Sequence, residues 1–216
     1  MTDMPDSDTP GRRARKRANT LDSLAEKAIR LFQSHGYETV TMEQIALEAD
    51  VAKGTLYNHF PTKEAVLAHW IHAQLAIDMA HLGPRIESEP HFAPAISLML
   101  DASAAWCEAH RAWIAPYLRF RFQSFTGVER ETGASPSDHI DGFAMLISRA
   151  QHTGELRNDL AASHLATLLH HLYLGALTRW LATPELDLRD EFAAIVKLFI
   201  EGAARPSAPT VKNRKS

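Results

Sequence analysis

Apolar residues recur every three or four positions along almost the whole chain, and no segment sustains the alternation that a half-buried strand requires. From Leu21 onward, Leu24, Ala25, Ala28, Leu31 and Phe32 line one side of a helix, while Asp22, Glu26, Arg30 and Gln33 line the other. This periodicity predicts an all-α fold. With 216 residues the chain can bury a sizeable core. Its 45% hydrophobic and 23% charged content excludes a disordered or collagen-like chain. No stretch reaches the roughly 18 uninterrupted apolar residues of a membrane span, so no membrane partner is expected. Cys107 is the single cysteine; it permits no internal disulfide and predicts a reducing, cytoplasmic setting. The first ten residues carry Asp3, Asp6 and Asp8 and no apolar run, unlike a secretory signal.

Punctuation residues set the order of the helices. Asn19 or Thr20 can cap the first, and Gly36 closes it in the left-handed conformation. Thr41 and Gln44 form a capping box that opens a short second helix, which Asp50 and Val51 interrupt. A third short helix covers about Lys53 to His59, with Leu56 and Phe60 inward. Pro61 stops it, and Thr62 caps a long fourth helix towards His81. Gly83-Pro84 and the stretch to Pro90 predict a break. Further helices are expected near 92–109, 111–125, 137–152, 160–182 and 188–203, with Asp159 and Asp187 as caps for the last two. Gly127 to Ser137 reads as a loop. The expected divisions are a basic tail over 1–18, a helix-turn-helix domain over 19–66, a helical body over 67–204 and a second tail over 205–216.

The net charge of −3 is unevenly spread. Residues 11–63 hold nine Lys/Arg against six Asp/Glu, whereas residues 64–204 hold ten against seventeen. Contact with a polyanion therefore belongs to the front of the chain. There, Met42 to Phe60 has the length and apolar spacing of a helix-turn-helix, whose second helix enters the major groove of DNA. Lys53 can donate to guanine O6/N7, Thr55 can touch a thymine methyl, and Asn58 can bond adenine or a phosphate. Gly54 permits close approach of the backbone to the duplex. Tyr57 and His59 offer polar tips on flat rings, and Lys63 begins the fourth helix, where a phosphate is favoured.

The runs Thr39-Val40-Thr41-Met42-Glu43-Gln44-Ile45-Ala46 and Val51-Ala52-Lys53-Gly54-Thr55-Leu56-Tyr57-Asn58-His59-Phe60-Pro61-Thr62-Lys63-Glu64-Ala65 resemble the DNA-binding segment of the tetracycline-repressor-like (TetR) family. The close match spans about Leu21 to Leu67. The resemblance implies an N-terminal three-helix DNA-binding domain joined by a long helix to a helical ligand-binding and dimerisation domain. It implies phosphate contacts from Thr41, Tyr57, His59 and Lys63, and base-edge positions for Lys53, Gly54 and Thr55. Two positions depart from the family pattern. Asp50 stands where a turn glycine is usual, and Asp tolerates the left-handed region. Ala52 stands where a serine or threonine commonly caps the recognition helix, and it has no oxygen to offer.

In the body, Leu165, Leu168, Leu169, Leu172, Tyr173, Ala176, Leu177 and Trp180 cover about half the circumference of one helix, and Phe192, Ile195, Val196, Phe199, Ile200 and Ala203 do the same for the last. Two broad apolar surfaces suit either a central place in the monomer core or a twofold four-helix interface. Leu165, Leu169, Leu172, Ala176, Phe199 and Ile200 are the candidate dimer residues, and the family's dimers use this arrangement. Trp106, His110, Trp113, Tyr117 and Phe120 follow helical spacing. They read either as core or as the lining of an apolar cavity with a few orienting polar groups. Among twelve histidines, only His69 and His72 have ligand-like spacing, and no metal site is expected. No P-loop, Rossmann glycine pattern or G-x-S-x-G occurs, so neither a cofactor nor catalysis is expected.

Together these features predict a ligand-responsive transcriptional regulator, a repressor that binds a palindromic double-stranded DNA operator as a homodimer. A small apolar or amphipathic effector would release it. The rival reading is a helical ligand carrier or enzyme whose helix-turn-helix serves only assembly. The missing catalytic constellation and the front-loaded basic charge disfavour it.

Overall fold

The computed structural model describes residues 10–125 and 138–203, and every regular element among them is a helix, with no strand. The expected loop over 127–137 and the two outermost tails, 1–9 and 204–216, lie outside the described residues. The helices are α1 (Pro10–His35), α2 (Met42–Glu48), α3 (Lys53–His59), α4 (Lys63–Ser88), α5 (Phe92–Ala109), α6 (Arg111–Phe125), α7 (Asp138–Thr153), α8 (Ala162–Ala182) and α9 (Leu188–Ala203).

Most predicted caps hold. Thr41 Oγ1 accepts from Gln44 N at 3.3 Å and Thr41 N donates to Gln44 Oε1 at 2.8 Å. Thr62 Oγ1 accepts from Ala65 N, and Asp187 Oδ1 accepts from the amides of Arg189 and Asp190. Asp159 does not cap α8. Both of its oxygens are taken by the Arg157 guanidinium at 2.6 and 2.5 Å, and Ala161 stands at the cap position without a side-chain bond. Gly36 closes α1 at φ 86°, and Asp50 adopts φ 54°, as the turn between α2 and α3 requires.

Two expected boundaries shift. α1 begins at Pro10, so residues 10–18 are helix and not tail. Proline suits a first helical position, and the Arg, Ala and Lys residues behind it are strong helix formers. α4 continues through Gly83 and Pro84 to Ser88. An internal proline costs one hydrogen bond but need not end a helix whose remaining turns are held. Here the Arg149 guanidinium donates to the carbonyls of Ile86, Glu87 and Glu89, satisfying the end of α4 with a cation.

The described residues form two compact units. One comprises residues 10–78 and 112–125, the other residues 79–111 and 138–203. The first is larger than the expected 19–66 because much of α4, and α6 from Ala112, belong to it. Its core is built from Leu24, Ala28, Phe32, Ile45, Leu56, Val66 and Leu67, all nearly inaccessible. In the second unit α7 packs on α8, α8 and α5 pack on α9, and α5 packs on α7. Phe143, Ile147, Leu169 and Phe192 are fully enclosed there. Gly142 lets Met99 close in: a Cβ at that position would lie 2.8 Å from its Cε.

Candidate nucleic-acid interface

α3 is anchored by Leu56, which is wholly buried, and by Phe60 at its C-cap. Helical spacing then turns Lys53, Gly54, Thr55, Tyr57 and Asn58 outward, and all five are exposed. Tyr57 is 44% exposed, unusual for a large aromatic side chain without an external partner. Thr41, on the loop before α2, is exposed as well. A side chain built on Gly54 would meet no atom within 4 Å, so nothing inside the chain requires glycine there. Ala52 caps α3 in extended conformation with no side-chain bond, as its lack of an oxygen dictates.

Six of the eight residues singled out from the sequence thus share an open surface. The other two are placed differently. His59 is half-buried, and its Nδ1 is enclosed without a hydrogen-bond partner. Lys63 is turned inward: its ammonium donates to the carbonyls of Tyr37 (2.9 Å), Glu38 (3.3 Å) and Val40 (3.3 Å). Three donors meet three acceptors, which uses the hydrogen-bonding capacity of a lysine fully. Beside it, the Tyr37 hydroxyl donates to Glu64 Oε1 at 2.8 Å. Burial and this bond push the Tyr37 phenol far above its usual range. Burial opposes ionisation of Glu64, but the Tyr37 bond, with backbone, Thr62 and Lys63 contributions, leaves its carboxyl below the ordinary value.

One feature of the surface lay outside the residues expected to touch DNA. Glu43, in the first turn of α2, pairs with Lys53 at 3.3 Å, and both side chains are well exposed. The carboxyl of Glu43 is held below its usual range by its own backbone N–H, then by Lys53.

The aromatic stripe does not form one cluster within either unit. In the second unit, Trp106 stacks on the His110 ring with centroids 4.3 Å apart. In the first unit, buried Trp113 meets Trp70 edge-on at 5.3 Å, and the Tyr117 hydroxyl lies 3.1 Å from His72 Nε2. Phe120 is buried there too. A buried polar group in the second unit escaped sequence reasoning. The hydroxyls of Ser103 and Tyr173 share a hydrogen bond of 2.9 Å, beside Cys107, whose thiol burial pushes up to about 11. Ser103 and Cys107 are four apart on α5, which is the sole trace this group leaves in the sequence.

Leu165, Leu169, Ala176 and Phe199 are buried within their own chain. Leu172 and Ile200 are half-buried. The outward apolar residues of these helices are Leu168 on α8, 45% exposed, and Leu198 on α9, 60% exposed. Among the described residues no helix is long and apolar enough to cross a membrane, and no three His, Cys, Asp or Glu gather as metal ligands.

Residues 24–69 match the family described as bacterial regulatory proteins, tetR family. The chain is 46% identical over 57 residues to the transcriptional regulator TcmR of Streptomyces glaucescens, a match covering 26% of this chain and a quarter of that protein's length. It is 27% identical over 182 residues to the transcriptional repressor DhaR of Mycobacterium sp. GP1, covering 80% of this chain and 88% of that one. The fold is that of Thermus thermophilus FadR, a TetR-family repressor solved with lauroyl-CoA; the TM-score is 0.71 at 23% identity, over 88% of this chain and 98% of that one. Residues 24–69 thus carry a tetR-family helix-turn-helix that exposes its second helix, in a chain whose other described elements are all helices.

Proposed function

We propose that this regulator is a repressor that binds a palindromic operator as a homodimer and leaves it when a small apolar or amphipathic effector binds the body. The observation that carries the reading is the α3 surface. Leu56 and Phe60 fix the helix while Lys53, Gly54, Thr55, Tyr57 and Asn58 face outward together. Lysine, threonine and asparagine supply a donor to guanine, a methyl contact and a bidentate partner for adenine. The basic balance of residues 11–63 supplies the sequence-independent attraction to phosphate. Twofold pairing would present two copies of α3 to adjacent turns of one groove face, which is how a dimer reads a palindrome. DhaR, itself a repressor, supports the direction of control, and the lauroyl-CoA complex of FadR supports an effector with a long apolar part.

The test is selection from a random-sequence duplex library, followed by titration of the enriched site. An enriched palindrome with salt-sensitive affinity is expected. Asn58→Ala and Lys53→Ala should each relax one base preference per half-site. Enrichment of no sequence would overturn the reading. For the effector, lauroyl-CoA is the first probe. A coupling of about 1–3 kcal/mol lowers operator affinity roughly 5- to 150-fold, and operator must weaken the probe by the same factor.

A further inference from the structure

We propose that Glu43 is a specificity residue that acts through Lys53, holding the lysine's charge away from non-cognate phosphates and releasing it to a guanine edge at the cognate site. The inference rests on the reading of α3 as the DNA-contacting surface and adds to it a residue of α2. Three observations support it. The Glu43 Oε1 to Lys53 Nζ distance is 3.3 Å, which joins the first turns of α2 and α3 across the turn between them. Both side chains are open to solvent, at 46% and 64% exposure. An ion pair so exposed contributes little to folding, so stability does not account for a carboxylate on this face. The Glu43 carboxyl is also held below its usual range, by its own backbone N–H and then by Lys53.

The consequence for DNA follows from charge. Non-specific affinity comes from lysines and arginines that neutralise phosphates and release counterions. A lysine already paired with a carboxylate contributes little to that release, and the carboxylate itself repels the phosphate chain. Random DNA therefore gains almost nothing from Lys53. At a cognate site the ammonium has better acceptors in guanine O6 and N7, while the carboxylate can accept from a cytosine N4 amino group. The pair then reads two base edges instead of cancelling one contact. Specificity is a ratio of affinities, and this arrangement raises it by lowering the denominator.

The experiment uses the full chain, the duplex that the wild type enriches from a random library, and a scrambled duplex of the same length and composition. Glu43→Gln keeps the shape and removes the charge; its thermal midpoint should match the wild type because the side chain is exposed. The variant should bind the scrambled duplex more tightly. Its slope of log affinity against log salt on that duplex should steepen by about 1 per subunit, about 2 per dimer. The ratio of cognate to scrambled affinity should fall about 5- to 150-fold per half-site. In a Lys53→Gln background the same Glu43→Gln change should leave the salt slope unchanged and alter the affinity ratio much less, since only the carboxylate's own repulsion of phosphate and its cytosine contact remain. An equal gain on both duplexes, or an effect undiminished without Lys53, would overturn the proposal while leaving the DNA-binding reading intact. A wild type that prefers no duplex would instead remove the reading on which it rests.

Discussion

The ammonium of Lys63 lies 4.4 Å from the centroid of the Tyr37 ring and donates 2.9 Å to the carbonyl of the same residue. Two further carbonyls complete its bonding, so the lysine pins the turn between α1 and α2 to the start of α4. A phosphate could recruit it only by breaking that clamp. Lys63→Met is therefore expected to lower stability by about 1.5–3 kcal/mol, the range for hydrogen bonds to a charged group. Chemical denaturation gives the first number and salt titration of DNA binding the second. A slope reduced by about 1 per subunit with unchanged stability would return Lys63 to the phosphate-contacting set.

Ala52 leaves the first amides of α3 without a side-chain acceptor, yet its φ of −62° and ψ of 143° are those of an ordinary N-cap. Ala52→Ser should supply the missing oxygen. A gain of about 1 kcal/mol is expected, seen as a higher urea midpoint with an unchanged m-value. No gain would mean that the α3 amides already find equivalent partners in water.

What could be read from the residues was local. The Thr41–Gln44 capping box, the Thr62 cap and the left-handed Asp50 are set by neighbours within four positions, and each stands where the pattern put it. The exposed face of α3 follows from two apolar anchors, Leu56 on the seven-residue helix and Phe60 at its C-cap. The inward bonding of Lys63 was not legible because its acceptors lie 23 to 26 residues upstream, and only the folded chain brings them together. Periodicity marked α8 and α9 as broadly apolar but could not rank their faces. Leu165, Leu169, Ala176 and Phe199 went to the chain's own core, leaving Leu168 and Leu198 outside. Even spacing likewise made one stripe of Trp106 through Phe120, although the helix break at His110 divides it between two units.

His72 is expected to make the first unit acid-sensitive. Burial pushes its imidazole down to about 4, with Arg121 and His69 adding to the shift. The unfolded chain takes up a proton at this site near pH 6.5, while the folded chain resists until about pH 4. Its contribution is thus complete above pH 6.5 and declines as pH falls towards 4, by roughly 3 kcal/mol at the end of the window. His72→Phe removes the proton site, so its urea midpoint should fall less between pH 7 and pH 5 than that of the wild type. Parallel losses in the two proteins would show that His72 does not govern the acid limb.

Leu168 and Leu169 are adjacent on α8 and distinguish its outward face from the core. Leu169 is fully enclosed by its own chain, whereas Leu168 is 45% exposed, as is Leu198 of α9 at 60%. A glutamate at position 169 would place an unpaired charge inside the monomer at a cost of several kcal/mol, so Leu169→Glu should unfold the second unit. At position 168 the same charge meets water in the monomer and is buried only if a second copy covers it. Leu168→Glu and Leu198→Glu should therefore keep native helicity and thermal cooperativity while weakening self-association roughly 100-fold or more. Sedimentation velocity at micromolar concentration separates the outcomes. Dimeric wild type with folded, monomeric Leu168→Glu places α8 and α9 at the interface. A Leu168→Glu variant as dimeric as its parent would move the interface to another face, and a monomeric wild type would remove the dimer from the proposed mode of operator binding.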